Sequence, residues 1–249
     1  MSHVAYGVEP DRRATYELRQ SRYQALGEDV VAEVRRIQTT EKRRVKLLDV
    51  GVYDGVSRRY IEAYSEAEQI DFEAVDLYPN GPEFVYKHDQ WKLHEFNLLG
   101  GMPGLETDCF DIVICEQVLE HLPEVQPAIQ DLVRVLKPGG LLIVGVPIFP
   151  EGAHLFRKHC TPVLDKLLKV KKIRGHVQAW SLRTFMKEWQ PQHDLQIENA
   201  RGFRIISGGV LRPLEFSKIW WKMNRAIGSV VPGLCTEVQL LGRKATKAA

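Results

Sequence analysis

The spacing of apolar residues changes along the chain, and each change marks an element. From Tyr16 to Gln38, Leu18, Tyr23, Leu26, Val30, Val34 and Ile37 recur at helical spacing, which predicts one or two amphipathic helices within residues 1–44. The pattern then becomes a near-continuous apolar run, "VKLLDV", as expected of a strand buried on both faces. A helix is predicted over Val56–Ser65. A second strand, "DFEAVDLYP", is stopped by Pro79 and the following turn. "KLHEFNLLGGMP" reads as a short strand ending in a loop, and "CFDIVICEQV" as another buried strand. "VQPAIQDLVRVL" is an amphipathic helix that stops at "KPGG", where lysine occupies the last turn and Pro-Gly breaks the helix. "GLLIVGVP" is the next strand.

Strands and helices thus alternate up to Pro147, which argues for βαβ units and a parallel sheet. Beyond it the pattern differs. A basic, histidine-containing segment comes first, including His154, His159 and His176. "SLRTFMKEW" is a helix capped by Ser181, and "LQIENARGFRII" and "TEVQLLGRK" are strands. Between them "LRPLEFSKIWWKMNRAIGSVV" is helical. With no repeat and no linker, residues 1–249 are expected to form one domain: N-terminal helices over 1–44, a core over 45–147, a decorated region over 148–232, and a last strand and tail over 233–249.

Composition adds little that changes this picture. The 249 residues are 44% hydrophobic and carry a formal charge of +2, which does not favour nucleic acid as a partner. Four scattered cysteines lack metal or disulfide spacing, and no apolar run reaches the roughly 20 residues of a membrane span. Both point to a cytoplasmic chain.

The chemistry concentrates at strand tips. In "LLDVGVYDGVSRRY" a strand runs through Gly51 and Gly55 into a helix, so backbone can approach a ligand and helix N–H groups can face it. A tight turn explains the loop equally. Asp76, at the tip of the next strand, is placed to accept hydrogen bonds from ribose hydroxyls, or is simply an exposed aspartate.

Taken together, "LLDVGVYDG", "AVDL", "FDIVICEQVLEHL" and "LKPGGLLIVGVP", in that order, resemble the class I S-adenosylmethionine-dependent methyltransferases, in the broad group related to ubiquinone, glycan and small-molecule methyltransferases. The resemblance covers residues 45–147. It implies an α/β, Rossmann-like sheet of seven strands, mostly parallel with an antiparallel last strand, helices on both faces, and S-adenosylmethionine as cofactor. It also implies roles. Gly51, Val52, Tyr53 and Gly55 would pass under the methionine part, with Asp49 ordering the loop. Asp76 would hold the ribose, Leu77 would lie against the adenine, and Asn97 and Leu98 would address its edge. Cys115, Glu116 and Gln117 would lie near the methionine amino group.

This chain departs from the family at two positions. Tyr53 replaces the central loop glycine, so the loop must either use ordinary φ there or shift its backbone. Gln117 replaces the first glutamate of a Glu-x-x-Glu-His metal site, and no metal is expected. Glu120 and His121 face the expected acceptor pocket, where His121 could remove a proton or the pair could order the loop. His176, in "GHVQAWS", is a further acceptor-side candidate, with helix capping as the alternative.

The activity implied is O-methylation of a small-molecule, glycan or lipid-linked acceptor. A non-catalytic scaffold is the alternative, on the strength of Tyr53. A dinucleotide oxidoreductase fits less well, because the glycine spacing is wrong for a pyrophosphate loop. Phe216, Ile219, Trp220, Met223 and Ile227, interleaved with Lys218, Lys222 and Arg225, leave three readings for residues 213–228: a helix packed over the acceptor pocket, a peripheral membrane contact, or a dimer contact.

Overall fold

The computed structural model describes residues 20–78, 87–155, 177–205, 214 and 217–246. Seven strands form one sheet: β1 (Val45–Val50), β2 (Ile70–Asp76), β3 (Lys92–Glu95), β4 (Phe110–Glu116), β5 (Leu136–Pro147), β6 (Leu195–Phe203) and β7 (Glu237–Lys244). Their order is β3-β2-β1-β4-β5-β7-β6. Only β7 is reversed, pairing antiparallel with both β5 and β6. The sheet expected from the resemblance is therefore present, and the chain direction of strand addition switches between β1 and β4, where open α/β sheets bind ligands.

Five helices matter for the site: α1 (Ser21–Thr40), α2 (Val56–Ile61), α3 (Gln126–Val135), α4 (Leu182–Glu188) and α5 (Lys218–Val230). The predicted stripe of α1 is buried, with Tyr23, Leu26, Val30, Val34 and Ile37 all inside; Leu18 lies outside the described residues. Its aliphatic part packs on one sheet face against Leu47, Phe72, Ile112, Ile114, Leu141 and Ile143. On the other face Ala128, Ile129 and Leu132 of α3 and Phe185 of α4 meet Leu48, Val50, Val113, Leu142 and Val144. Strands covered on both faces need apolar residues at every position, hence the near-continuous runs.

Some boundaries differ from expectation. α2 stops at Ile61, because the N–H groups of Ala63 and Tyr64 bond only three residues back, to Tyr60 and Ile61, and tighten the last turn. The "KPGG" segment loops out of the ladder between the pairs Phe110–Leu136 and Ile112–Leu141. Ser181 caps α4 as predicted, within a reciprocal capping box with Thr184.

Candidate functional site

The site grows from the carboxyl ends of β1, β2 and β4. After β1 the chain turns through Gly51, Tyr53 and Gly55 at φ of 76°, 47° and 75°. Tyr53 therefore does not use ordinary φ: it takes the left-handed conformation, at a cost set by its own Cβ against the backbone. The residue is about half in solvent, at 49% exposure. Gly51 is constrained more tightly, since a Cβ there would run into the Val118 side chain. Its N–H and that of Val52 donate to the Val75 carbonyl at 2.7 and 3.4 Å, and Gly55 N–H donates to Val52 O at 2.8 Å. Asp54 accepts from Val56 N–H at 3.1 Å and holds the first turn of α2.

Asp76 ties this loop to the β2 tip. One carboxylate oxygen accepts from Tyr53 N–H at 3.1 Å and the other from Tyr78 N–H at 3.2 Å. Leu77 beside it is exposed, an apolar step next to a carboxylate. Asn97 is exposed too, and its amide oxygen accepts from Leu99 N–H at 3.1 Å, leaving that oxygen one further lone pair. Leu98 is buried.

Asp49, Glu116 and Glu120 are carboxyl groups buried on this edge. Asp49 bonds the Ser57 side chain, and burial, with the nearby charges of Glu116, Asp76 and Asp54, pushes its pKa up to about 7. Glu116 points under α1. Its Oε1 accepts from Gln239 Nε2 at 2.6 Å and its Oε2 lies 3.8 Å from Arg22 Nε. Burial raises it to about 7 despite Arg22 and Gln239. Arg22 also pairs with Glu237 at 2.8 Å. Glu120 is fully buried, neither carboxyl oxygen has a hydrogen-bond partner outside its own backbone, and burial raises it to about 8. Beside Glu116, Gln117 sits at φ 58° with its Nε2 buried and unpartnered.

Such an edge has the chemistry to receive a ligand with positive charge. Buried carboxyls that raise one another's pKa ionise when a cation arrives, and orphaned buried groups gain partners. Among the described residues no three His, Cys, Asp or Glu side chains are grouped as a metal ion would require.

The sequence-predicted residues divide into those gathered at this edge and those outside it. Asp49, the Gly51–Gly55 loop, Asp76, Leu77, Glu116, Gln117 and Glu120 are at the strand tips. The Cys115 thiol is not in the cleft: it packs in the apolar core with Val50 and Val144, and burial raises its pKa well above the ordinary value. His121 is exposed, at the end of the short turn Leu119–His121. His176 lies outside the described residues, but its neighbours Val177 and Gln178 donate backbone N–H to Glu120 O at 2.9 and 3.1 Å. Gln178 Nε2 adds bonds to Leu122 O and Pro123 O, at 2.8 and 3.1 Å.

Sequence reasoning missed Arg22, Ser57, Gln178 and Gln239. Only Gln239 carried a signal, as a polar residue inside the otherwise apolar run of β7.

Comparison with known proteins gives the family and the fold. The family described as "Methyltransferase domain" matches residues 48–144. The ubiquinone biosynthesis O-methyltransferase of Rickettsia prowazekii is 30% identical over 181 residues, covering 62% of this chain and 69% of that protein. The Rickettsia typhi protein of the same name is 28% identical over 196 residues, covering 68% and 76%. A putative sarcosine dimethylglycine methyltransferase from Galdieria sulphuraria superposes with a TM-score of 0.54 at 15% identity, over 92% of this chain and 86% of that one.

Proposed function

The chain belongs to the class I S-adenosylmethionine-dependent methyltransferases, and on that premise we propose that it O-methylates a hydroxyl of a small-molecule or glycan acceptor, lipid-linked where the acceptor carries an apolar tail. The observation that carries this reading is Glu120, a buried carboxyl without an outside partner, poised between charge states near neutral pH. A hydroxyl is a poor nucleophile and needs a base, whereas an amine does not. The names of the Rickettsia relatives, which are O-methyltransferases, support the same acceptor class. A cytoplasmic setting accords with the free cysteines among the described residues, Cys109, Cys115 and Cys235.

S-adenosylmethionine, when bound, supplies a methyl group on a positively charged sulfur, already activated for displacement. The residues present fit it. The left-handed turn at Gly51, Tyr53 and Gly55 opens a path for the methionine part between β1 and α2. Asp76, which holds the Tyr53 amide, would accept from the ribose hydroxyls. Leu77 would lie against the adenine, with Asn97 and the Leu98 backbone at its edge. Glu116, Gln117 and the Cys115 backbone would receive the ammonium group, with Gln239 and Arg22 beside the Glu116 carboxyl. Glu120 takes the acceptor proton, with His121 and His176 on the acceptor side. The scaffold alternative rested on Tyr53, and it loses that basis because Tyr53 keeps the loop in left-handed geometry.

The acceptor class is tested by following labelled methyl groups from S-adenosylmethionine into a prenylated catechol, a lipid-linked sugar and a small amine. Methyl ethers on the hydroxyl acceptors are expected. Transfer to nitrogen alone would overturn the reading.

A further inference from the structure

Helix α5 is mounted with its apolar side outward. At about 100° per residue, Ile219, Met223, Ile227 and Val230 share one side, and all are exposed, Ile219 to 73% and Val230 to 79%. Val231 and Leu234 extend the stripe beyond the helix and are exposed as well. The inward side carries Asn224 and Gly228, with Trp220 and Trp221 half-buried beside them. Asn224 bonds Ile205 N–H and the Trp220 carbonyl, each at 2.9 Å. Gly228 packs so closely on the backbone of Gly202 that a Cβ would collide with it. An amphipathic helix normally buries its apolar stripe, and among the described residues this one is exposed.

The charges say what covers it. α5 contains Lys218, Lys222 and Arg225 and no acidic residue. Lys218 and Lys222 are exposed on one flank of the stripe; Lys218 has a contact of its own, and Arg225 is held at 3.0 Å by Glu28 of α1. The position is also telling. Trp221 Nε1 donates to Gln24 of α1 at 3.0 Å, and α1 carries Arg22, which supports Glu116. α5 therefore lies beside the segment of α1 that reaches the carboxyl end of β4.

We propose that α5 docks the protein on an anionic lipid surface, with Ile219, Met223, Ile227 and Val230 entering the interface and the lysines meeting lipid phosphates. A second copy of the chain fits less well: a two-fold contact centred on α5 would bring its own positive charges together, with no acidic partner on the helix. Docking presents the cofactor edge to acceptors held in the membrane. The packing and charge of this face do not depend on which acceptor is methylated.

The test is co-sedimentation of the full chain with vesicles of phosphatidylcholine and phosphatidylglycerol, against vesicles of phosphatidylcholine alone. Binding to the anionic vesicles is expected, weakening with salt. Lys222→Ala should lower it roughly fivefold. The triple variant Ile219→Ser, Met223→Ser, Ile227→Ser should abolish it and leave cofactor binding intact, which shows that the variant is folded. No vesicle binding, equal binding to both vesicle types, or undiminished binding of the triple variant overturns the proposal. So does a wild-type dimer that ignores vesicles and that the triple variant converts to monomer.

Discussion

The backbone N–H of Tyr53 donates to the Asp76 carboxylate at 3.1 Å. This one bond joins the loop after β1 to the tip of β2 and places a non-glycine residue in left-handed geometry, at φ 47°. The carboxylate proposed to hold the ribose and the loop proposed to hold the methionine part are thereby set by the same contact.

If that geometry is what the loop needs, glycine at the position is tolerated and a β-branched residue is not. Tyr53→Gly is expected to stay within about 1 kcal/mol of wild type, since relief of the left-handed cost offsets the added freedom of the unfolded chain. Tyr53→Ile is expected to lose on the order of 1–2 kcal/mol. Urea denaturation checks both, and equal stability of the two variants would refute the strain argument.

The buried carboxyls give a pH dependence with a definite sign. Glu120 has an ordinary value of 4.5 and is raised to about 8 in the folded protein. Between those values the folded state binds more protons than the unfolded state, so stability falls as pH rises through the window and the penalty is complete above it. Glu116 and Asp49, each raised to about 7, act in the same direction. Glu120→Gln should therefore gain stability over wild type as pH is raised, by on the order of 1–3 kcal/mol at the alkaline end. A difference that stays constant across the range would show that Glu120 is not the titrating group.

The assignment of the base separates two neighbours. Glu120→Gln is expected to lower kcat on the order of 100-fold or more with little change in cofactor affinity, while His121→Ala, at an exposed position, keeps most of the turnover. The reverse pattern would move the base to His121.

Gly228→Ala should cost on the order of 1–3 kcal/mol, because the new methyl meets Gly202 backbone rather than a movable side chain. Thermal unfolding measures it. A neutral result would mean that α5 is not held against β6 as described.

Much of this was legible in the sequence because it is local. The strand-glycine-helix run at Leu47–Tyr60, the Asp76 tip and the Ser181 cap each follow from a few consecutive residues. The support of Glu116 by Arg22 and Gln239 was not legible, since it joins α1, β4 and β7 across the fold. The orientation of α5 escaped for a different reason. Periodicity shows that a helix has an apolar side, but the inward side here is chosen by the close approach of Gly228 to Gly202 and by the bonds of Asn224. Tyr53 was legible only as a conflict, because residue type alone does not say whether a loop will bear a left-handed tyrosine.

The most direct test of the account is calorimetric titration of the folded protein with S-adenosylmethionine, alongside Asp76→Ala. The account predicts saturable binding at one site, weakened in the variant by on the order of 1–3 kcal/mol, since the ribose acceptor and the Tyr53 tether are lost together. Binding of unchanged strength in Asp76→Ala, or no binding by folded wild type at millimolar cofactor, would contradict it.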